Sequence, residues 1–505
     1  MRRRLLKNAV ANLGRGSVGA VVALLLPILL VRHMTPSAYA VWVLVLQTAA
    51  YAGYLNFGLQ TAIGRYVAYA NEKRDIDQRD SVFSTALAGL WCAAVISLVC
   101  LGVAILAAPA VFPAVPSALV PQMRLALLLV GFSMAVELPA SACNGVFVGL
   151  ERYEIPAMTG GSARVVSAIG LMIAVLAGRS LVVMAAIIAS TNLLSYLTQY
   201  LALRRIVPDL RFQRALIRRS TARELSGYCF GLTVMSFAML LITGLDLLLV
   251  GRFEFAAVVP YSVCATMVAL ITGALSAVVT VIMPRAAMLH AKEESSEMGR
   301  LVVSATRLSV LLLVLTGIPI LVYAGPILRL WIGTQYVAKG VPLLAILISA
   351  NIIRLIGLPY ATVLVAAGQQ NYIKISPLSE GLANFVASLV LGWLLGAVGV
   401  ALGTLLGSFV SIATHLFYSM PRTQPAIALS RRSLAFSGVL VPLLCTSPLL
   451  AAAVGSILGV NIGRFPFVLA VSLSLFGAGL LMLRAKGVEA ESAALPPLPK
   501  PYESL

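Results

Sequence analysis

The chain has 505 residues, of which 60% are hydrophobic and 11% charged, and its mean hydropathy is +0.97. This charge is far too little to cover a soluble globule of this size, so the composition excludes a soluble protein and predicts a polytopic membrane protein. The formal net charge of +19 would also suit a nucleic-acid binder, but the placement of the basic residues indicates membrane topology and no nucleic-acid partner.

Many apolar runs have the length, about 20 residues, that a helix needs to cross a bilayer. The sequence therefore predicts an all-α fold of fourteen transmembrane helices joined by short polar loops. The predicted spans are 17–32, 39–60, 83–107, 123–149, 157–177, 181–203, 225–250, 257–284, 302–325, 341–367, 376–394, 398–418, 434–454 and 465–484.

Lysine and arginine separate between the two predicted sides of the membrane. Of the 37, all but eight lie at the termini or in alternate loops on one side; the eight are Arg32, Arg124, Arg179, Arg252, Arg329, Lys339, Arg354 and Arg464. Because cytoplasmic loops carry an excess of basic residues, both termini are predicted to be cytoplasmic. An even number of spans agrees with this orientation.

The second half of the chain echoes the first. Residues 26–42, LPILLVRHMTPSAYAVW, have the same order of apolar helix, basic residue, polar turn and aromatic restart as residues 245–261, LDLLLVGRFEFAAVVPY. Leu138-Pro139 likewise recurs as Leu358-Pro359 at a similar offset. These matches keep their order along the chain, which indicates an internal repeat.

Six spans per repeat would place both copies in the membrane in the same orientation, so the predicted repeat is parallel. The tail is rich in proline and lacks apolar periodicity, which predicts disorder. The predicted domains are an N-terminal six-helix lobe (1–203), a cytoplasmic basic linker (204–223), a C-terminal six-helix lobe (224–420), an additional helix pair (421–485) and a disordered cytoplasmic tail (486–505).

No motif in the sequence predicts a covalent catalyst, a resident metal or a cofactor. The six cysteines fall within predicted spans without a C-x-x-C pair, and the three histidines are far apart. No phosphate-binding G-x-x-x-x-G-K-[ST] loop and no G-x-S-x-G motif is present. We therefore expect no enzyme and no cofactor, with a proton or a sodium ion as the one candidate for coupling.

Charged residues inside predicted spans are costly unless they meet partners or water, and they supply the candidate functional residues. Glu137 and Arg354 lie near the middle of equivalent spans, where they either pair with each other or act in a hydrated cavity. Asp246 interrupts an apolar run and is a candidate for ion coupling, as is Glu137. Hydration of a helix end with Arg252 as a partner is the other interpretation of Asp246.

The basic residues suggest an anionic cargo. Arg65 and Arg164 either extend to the cytoplasmic headgroups or meet an anion arriving from the cytoplasm. With Arg354 they would favour phosphate oxygens, which guanidinium groups bind through two parallel hydrogen bonds. Asn384, near the start of the eleventh predicted span with Glu380, is either a polar residue of a helix start or a substrate contact.

Several stretches resemble one family. The run NFGLQTAIGRYVAYANEKRDID at 56–77, the pattern D-LLLVGRF-Y from Asp246 to Tyr261, the Met283-Pro284 pair and EGLAN at 380–384 look like the bacterial polysaccharide exporters. These exporters belong to the multidrug, oligosaccharidyl-lipid and polysaccharide flippase superfamily. The similarity extends over about residues 5–420. The predicted number of spans, fourteen, is similar to that of the lipid II flippases of that superfamily, whereas many of its O-antigen members have twelve.

The resemblance implies two six-helix lobes and alternating access. It also implies that a glycan linked to undecaprenyl diphosphate is flipped from the cytoplasmic to the periplasmic leaflet of the bacterial inner membrane. Carried to this sequence, it implies that Arg65, Arg164 and Arg354 contact the cargo and that Asp246 and Glu137 couple an ion. Asn384 joins the predicted substrate contacts because of its position in the eleventh span. The expected partners are the bilayer, the lipid-linked glycan, and a polysaccharide polymerase with its chain-length machinery.

Other functions have weaker support in the sequence. An ion-coupled multidrug or small-molecule antiporter of the same fold stays the alternative, although the arginines do not suit a cationic drug. A major facilitator usually carries G-x-x-x-D-R-x-G-R-R between spans two and three, where this chain has NEKRDIDQRD. A membrane glycan polymerase needs a large outer loop with catalytic residues, and the predicted outer loops are short.

Overall fold

The computed structural model describes residues 22, 24–210, 212–457 and 465–484. Most of these residues lie in helices and none of them lies in a strand, which confirms the predicted all-α class. The predicted tail (486–505) and the beginning of the first predicted span (17–32) lie outside the described residues. The part of that span that is described is the short apolar helix Leu24–His33.

Ten described helical stretches are long and apolar enough to cross a membrane, and the bent pair Arg431–Cys445 and Ser447–Gly455 makes an eleventh if it is one span. One of the ten, Ile375–Thr423, contains a turn at Gly396 and is not a single straight helix. The predicted count of fourteen is thus not confirmed in the part of the chain that the structure describes. The ten are Pro36–Glu72, Ile76–Val111, Ser117–Gly149, Glu154–Leu176, Leu181–Ile206, Arg219–Phe253, Phe255–Ala291, Ser295–Val322, Thr334–Ala366 and Ile375–Thr423. A further apolar helix, Phe465–Arg484, ends the described chain.

The helical stretch Ile375–Thr414 folds back on itself at Gly396, which has φ 62° and ψ −137°. A Cβ on Gly399 would lie 1.9 Å from the carbonyl oxygen of Leu391, and one on Gly403 would lie 2.1 Å from Ser388 Oγ. Further from the turn, Ser376 Oγ meets Ser411. Partner numbers fall as residue numbers rise, so the two halves are antiparallel. We call this unit the Gly396 hairpin.

Glycine also sets the spacing of helices in the first half of the chain. A Cβ on Gly145 would lie 2.7 Å from the carbonyl oxygen of Gln60, and one on Gly149 would lie 2.8 Å from that of Gly64. Because neither position has room for a side chain, the backbones of the two helices approach closely, as small residues permit in lipid. This contact fixes the helix that carries Arg65 against the helix that carries Glu137.

By packing, the chain divides into two compact units, Met1–Val263 and Cys264–Leu505, and the division falls within the helix Val258–Thr280. A buried core of the first unit includes Ile63, Phe83 and Phe147. The second unit has cores of its own. The predicted lobes, 1–203 and 224–420, follow the sequence repeat rather than packing and stay a prediction.

Candidate functional site

Asp246 lies buried in the first unit, with 7% of its surface exposed. It begins the helix Asp246–Phe253, directly after a π-helical turn at Leu240–Gly244. The hydroxyl of Tyr261 donates to Asp246 Oδ2 at 3.3 Å. Arg252, the other partner considered from the sequence, is an exposed residue of the same helix. The buried environment of Asp246 therefore contrasts with a hydrated helix end.

The π-helical turn before Asp246 makes further polar contacts. The Gly244 carbonyl accepts hydrogen bonds from Gln47 Nε2, at 2.8 Å, and from the hydroxyl of Tyr51. Tyr51 also interacts electrostatically with Asp246. A π-helical turn displaces carbonyls from the regular helical ladder, which frees them for such contacts. A carboxylate, a carbonyl and tyrosine hydroxyls are thus close together, and oxygen groups of this kind can hold a proton or a small cation.

Glu137 and Arg164 are brought near each other in the first unit. Both side chains are exposed, although both lie within long apolar helices. The hydroxyl of Tyr196 donates to the Glu137 carboxylate, and Arg164 interacts with that carboxylate electrostatically. Glu137 therefore has a hydrogen-bond donor and a cation inside its own unit.

Arg65 is exposed and held by aromatic rings. Its guanidinium carbon lies 4.8 Å from the ring centre of Tyr228 and 5.6 Å from that of Tyr66. The two rings meet edge to face at 6.1 Å, and Tyr66 also bonds Glu224. Cation–π contacts restrict the guanidinium without neutralising it. Arg65 therefore presents a positioned positive charge.

Arg354 pairs inside the second unit. Its Nη2 donates to Asn351 Oδ1 at 2.9 Å, and its Nε lies 3.9 Å from Glu380 Oε1. Thr272 donates to the same oxygen of Asn351. The side chains of Arg354 and Glu380 are 18% and 6% exposed, so this ion pair is largely shielded from water.

Glu380 and Asn384 lie in the Gly396 hairpin rather than at an exposed helix start. Their exposed fractions are 5% and 1%. Ser411 bonds the Glu380 carboxylate, and Ser388 donates to Asn384 Oδ1 at 3.0 Å. Asn384 also packs against Gly407, where a Cβ would lie 2.9 Å from it. In this structure Asn384 therefore joins the two arms of the hairpin.

Two groups of predicted residues are brought together: Glu137 with Arg164, and Arg354 with the helix that carries Asn384. The sequence analysis did not select the polar side chains that lie around the predicted site residues and around the Gly244 carbonyl, which are Gln47, Tyr51, Tyr196, Tyr228, Tyr261 and Asn351. A polar or tyrosine side chain within an apolar span is a signal that would have selected most of them, because its polar end needs a partner in lipid.

These features define a polytopic membrane protein in which charged side chains lie within long apolar helices. A model of the family described as "Polysaccharide biosynthesis protein" matches residues 5–290, more than half of the chain. The chain therefore belongs to that family. No curated protein gives a significant sequence match.

Solved structures support the same fold. The lipid II flippase MurJ in an inward closed conformation matches with a TM-score of 0.68 at 12% identity, covering 96% of this chain and all (100%) of that one. An inward-facing multidrug resistance MATE family transporter matches with a TM-score of 0.65 at 13% identity, covering 80% and 95%. A structure described as a MOP superfamily transporter from Pyrococcus furiosus matches with a TM-score of 0.58 at 14% identity, covering 84% of this chain and 96% of that one.

Proposed function

We propose that the protein flips an oligosaccharide linked to a polyprenyl diphosphate from the cytoplasmic to the periplasmic leaflet of a bacterial inner membrane. The motion is alternating access by two parallel six-helix repeats within fourteen spans. Both termini are cytoplasmic, and the product feeds surface or exopolysaccharide assembly, with a polymerase and chain-length machinery as partners. Membership of the polysaccharide biosynthesis family supports this proposal.

The observation that carries the proposal is Arg164. This exposed guanidinium lies well inside the helix Glu154–Leu176, where a charge is costly unless it meets water or an anion. Glu137 interacts with it but is itself exposed and bonded by Tyr196. A diphosphate offers more acceptor oxygens than one carboxylate, and a guanidinium binds such oxygens through a planar pair of hydrogen bonds.

The other proposed cargo contacts follow from charge and position. Arg65 is held by two tyrosine rings but keeps its full charge for a phosphate. Arg354 has Glu380 as its carboxylate partner in this structure, so a cargo phosphate would take the place of that carboxylate. Asn384 would contact the glycan only after the Gly396 hairpin loosens, because the side chain is now buried.

The test is flipping in proteoliposomes. The probe is a prenyl diphosphate carrying a fluorescent nitrobenzoxadiazole group on its sugar, and external dithionite destroys the fluorescence of the outer leaflet alone. We expect Arg164→Gln to slow flipping by about tenfold or more, the effect of losing one charge-assisted hydrogen bond of about 1.5–3 kcal/mol. Arg179→Gln, in the exposed loop after the same helix, is the matched control. Equal rates for the two variants would contradict the proposed role of Arg164.

A second candidate function, ion-coupled antiport of drugs or other small molecules, is favoured by Asp246. Its buried carboxylate, with Tyr261 and the Gly244 carbonyl region nearby, suits a proton or sodium ion. The same proteoliposomes separate the two functions. Gradient-driven uptake of a cationic dye that Asp246→Asn abolishes, with no flipping of the diphosphate probe, would favour the antiporter.

A further inference from the structure

Residues 204–223 form a strongly basic segment that runs from the end of the helix Leu181–Ile206 to the first turns of the helix Arg219–Met239. Residues 204–223 read RRIVPDLRFQRALIRRSTAR, with seven arginines against one aspartate. Both flanking helices belong to stretches long enough to cross a membrane. The segment therefore joins two membrane-spanning helices at the same bilayer surface, whichever side that surface is.

The inner side of this segment is fixed to the first unit. Leu210 is 2% exposed and belongs to the core that contains Phe83 and Leu225. Ser81 Oγ donates to the Leu216 carbonyl at 2.9 Å, and the backbone N–H of Gln213 donates to Ser84 Oγ at 3.1 Å. The segment is thus held on the first turns of the helix Ile76–Val111.

The outer side of the segment combines positive charge with apolar side chains. Phe212 is 45% exposed and Ile217 is 41% exposed. Between and beside them stand exposed arginines, which with the two apolar residues we call the linker surface: Arg205, Phe212, Arg214, Ile217, Arg218 and Arg219. One of the arginines, Arg218, lies 3.7 Å from Asp77, whose side chain is 80% exposed. A pair in this much water leaves the guanidinium able to exchange partners.

We propose that the linker surface is a docking site for anionic phospholipid headgroups, a role independent of the proposed flipping. Arginine binds lipid phosphate by charge and by paired hydrogen bonds. Phe212 and Ile217 enter the boundary between headgroups and acyl chains, which removes their apolar area from water. Nucleic acid would satisfy the arginines but not these two exposed apolar side chains, and the bilayer surface is already at the ends of the flanking helices.

The consequence is a dependence on lipid charge. Each basic side chain near an anionic membrane surface strengthens the binding of a segment to that surface by about fivefold. Removing three charges from the linker surface should therefore weaken its binding to anionic headgroups by about 100-fold. The triple variant Arg214→Gln/Arg218→Gln/Arg219→Gln removes them, while Arg214→Lys/Arg218→Lys/Arg219→Lys keeps the charge. Lysine is a point charge that still binds phosphate, so the lysine variant is the matched control.

The test uses the full chain in nanodiscs of phosphatidylglycerol or phosphatidylcholine, digested with chymotrypsin, with cleavage after Phe212 followed by mass spectrometry. For the wild type and the lysine variant, we expect cleavage to be at least tenfold slower in phosphatidylglycerol than in phosphatidylcholine. Adding 1 M NaCl should restore the cleavage rate in phosphatidylglycerol. The glutamine variant should be cleaved alike in both lipids. Native mass spectrometry should show the same order in the number of retained phosphatidylglycerol molecules.

Two outcomes would overturn the proposal. One is equal cleavage of the wild type in the two lipids. The other is protection that depends on a purified acidic protein or a nucleic acid and not on lipid charge, which would assign the linker surface to that partner. If the glutamine triple variant does not fold, the single variants Arg214→Gln and Arg219→Gln should each give an intermediate loss of protection, and unchanged protection in both would equally refute the docking site.

Discussion

The ion pair of Arg354 and Glu380 allows a quantitative test of the second unit. Arg354→Met removes the 2.9 Å bond to Asn351 and the cation 3.9 Å from the Glu380 carboxylate. Glu380 keeps Ser411 but remains a largely buried charge. A hydrogen bond to a charged group contributes about 1.5–3 kcal/mol, and an unpaired buried charge costs several more at full burial. Because Arg354 is partly exposed, we expect a loss of about 2–3 kcal/mol.

A double-mutant cycle separates the pair from the individual side chains. Replacing both members of a buried ion pair by apolar residues is often nearly neutral. We therefore expect Arg354→Met/Glu380→Leu to be more stable than the sum of the single variants predicts, with a coupling free energy of about 1–2 kcal/mol. The assay is equilibrium unfolding in mixed micelles with a rising mole fraction of dodecyl sulfate, followed by circular dichroism. Additivity within about 0.5 kcal/mol would show that the two side chains do not stabilise each other.

Three further predictions concern the backbone and the site. Gly396→Ala places a Cβ at φ 62° and should lower the free energy of unfolding by about 1–3 kcal/mol. Gly403→Leu should lower it more, because even a Cβ at this position would lie 2.1 Å from Ser388 Oγ. Gly102→Ala is the control, since a Cβ there would have nothing within 4 Å, and it should leave stability unchanged or slightly higher. If Asp246 couples an ion, Asp246→Asn should flatten the dependence of transport on the proton or sodium gradient, whereas Tyr261→Phe should only shift it; an unchanged gradient response in Asp246→Asn would remove this carboxylate from the mechanism. Tyr196→Phe takes a donor from Glu137 and should lower the flipping rate severalfold, with Tyr200→Phe, an exposed tyrosine of the same helix, as a control that should not.

Hydropathy alone predicted the all-α class, because every segment that crosses a bilayer as a helix satisfies its backbone internally. The break between the predicted spans 376–394 and 398–418 coincides with the turn at Gly396, since glycine alone readily adopts its backbone angles. The helix ends on either side of the basic linker differ from the prediction: the helices end at Ile206 and begin at Arg219, where 203 and 225 were predicted. The linker between them packs on the helix Ile76–Val111, and hydropathy does not encode that contact.

The candidate residues were predictable as anomalies but their partners were not. Asp246 stands out in any apolar run, whereas its bond to Tyr261 depends on how two helices meet after the turn at Phe255–Ala257. Arg354 and Glu380 stood out in the same way. Their pairing depends on where the Gly396 hairpin packs on the helix Val337–Leu355, and no spacing in the sequence encodes that register.

The Gly396 hairpin also constrains how the protein is made. Its two arms, at 1.5 Å per residue, are each about as long as a bilayer core is thick, yet one residue separates them. No polar loop separates the two arms at this turn. A ribosome-bound insertion channel therefore has no polar segment to translocate across the membrane between the first arm and the second. Glu380 and Asn384 on the first arm also find Ser411 and Gly407 only on the second. The arms should therefore leave the channel together, and a stop codon placed just after Gly396 should leave a first arm that fails to integrate.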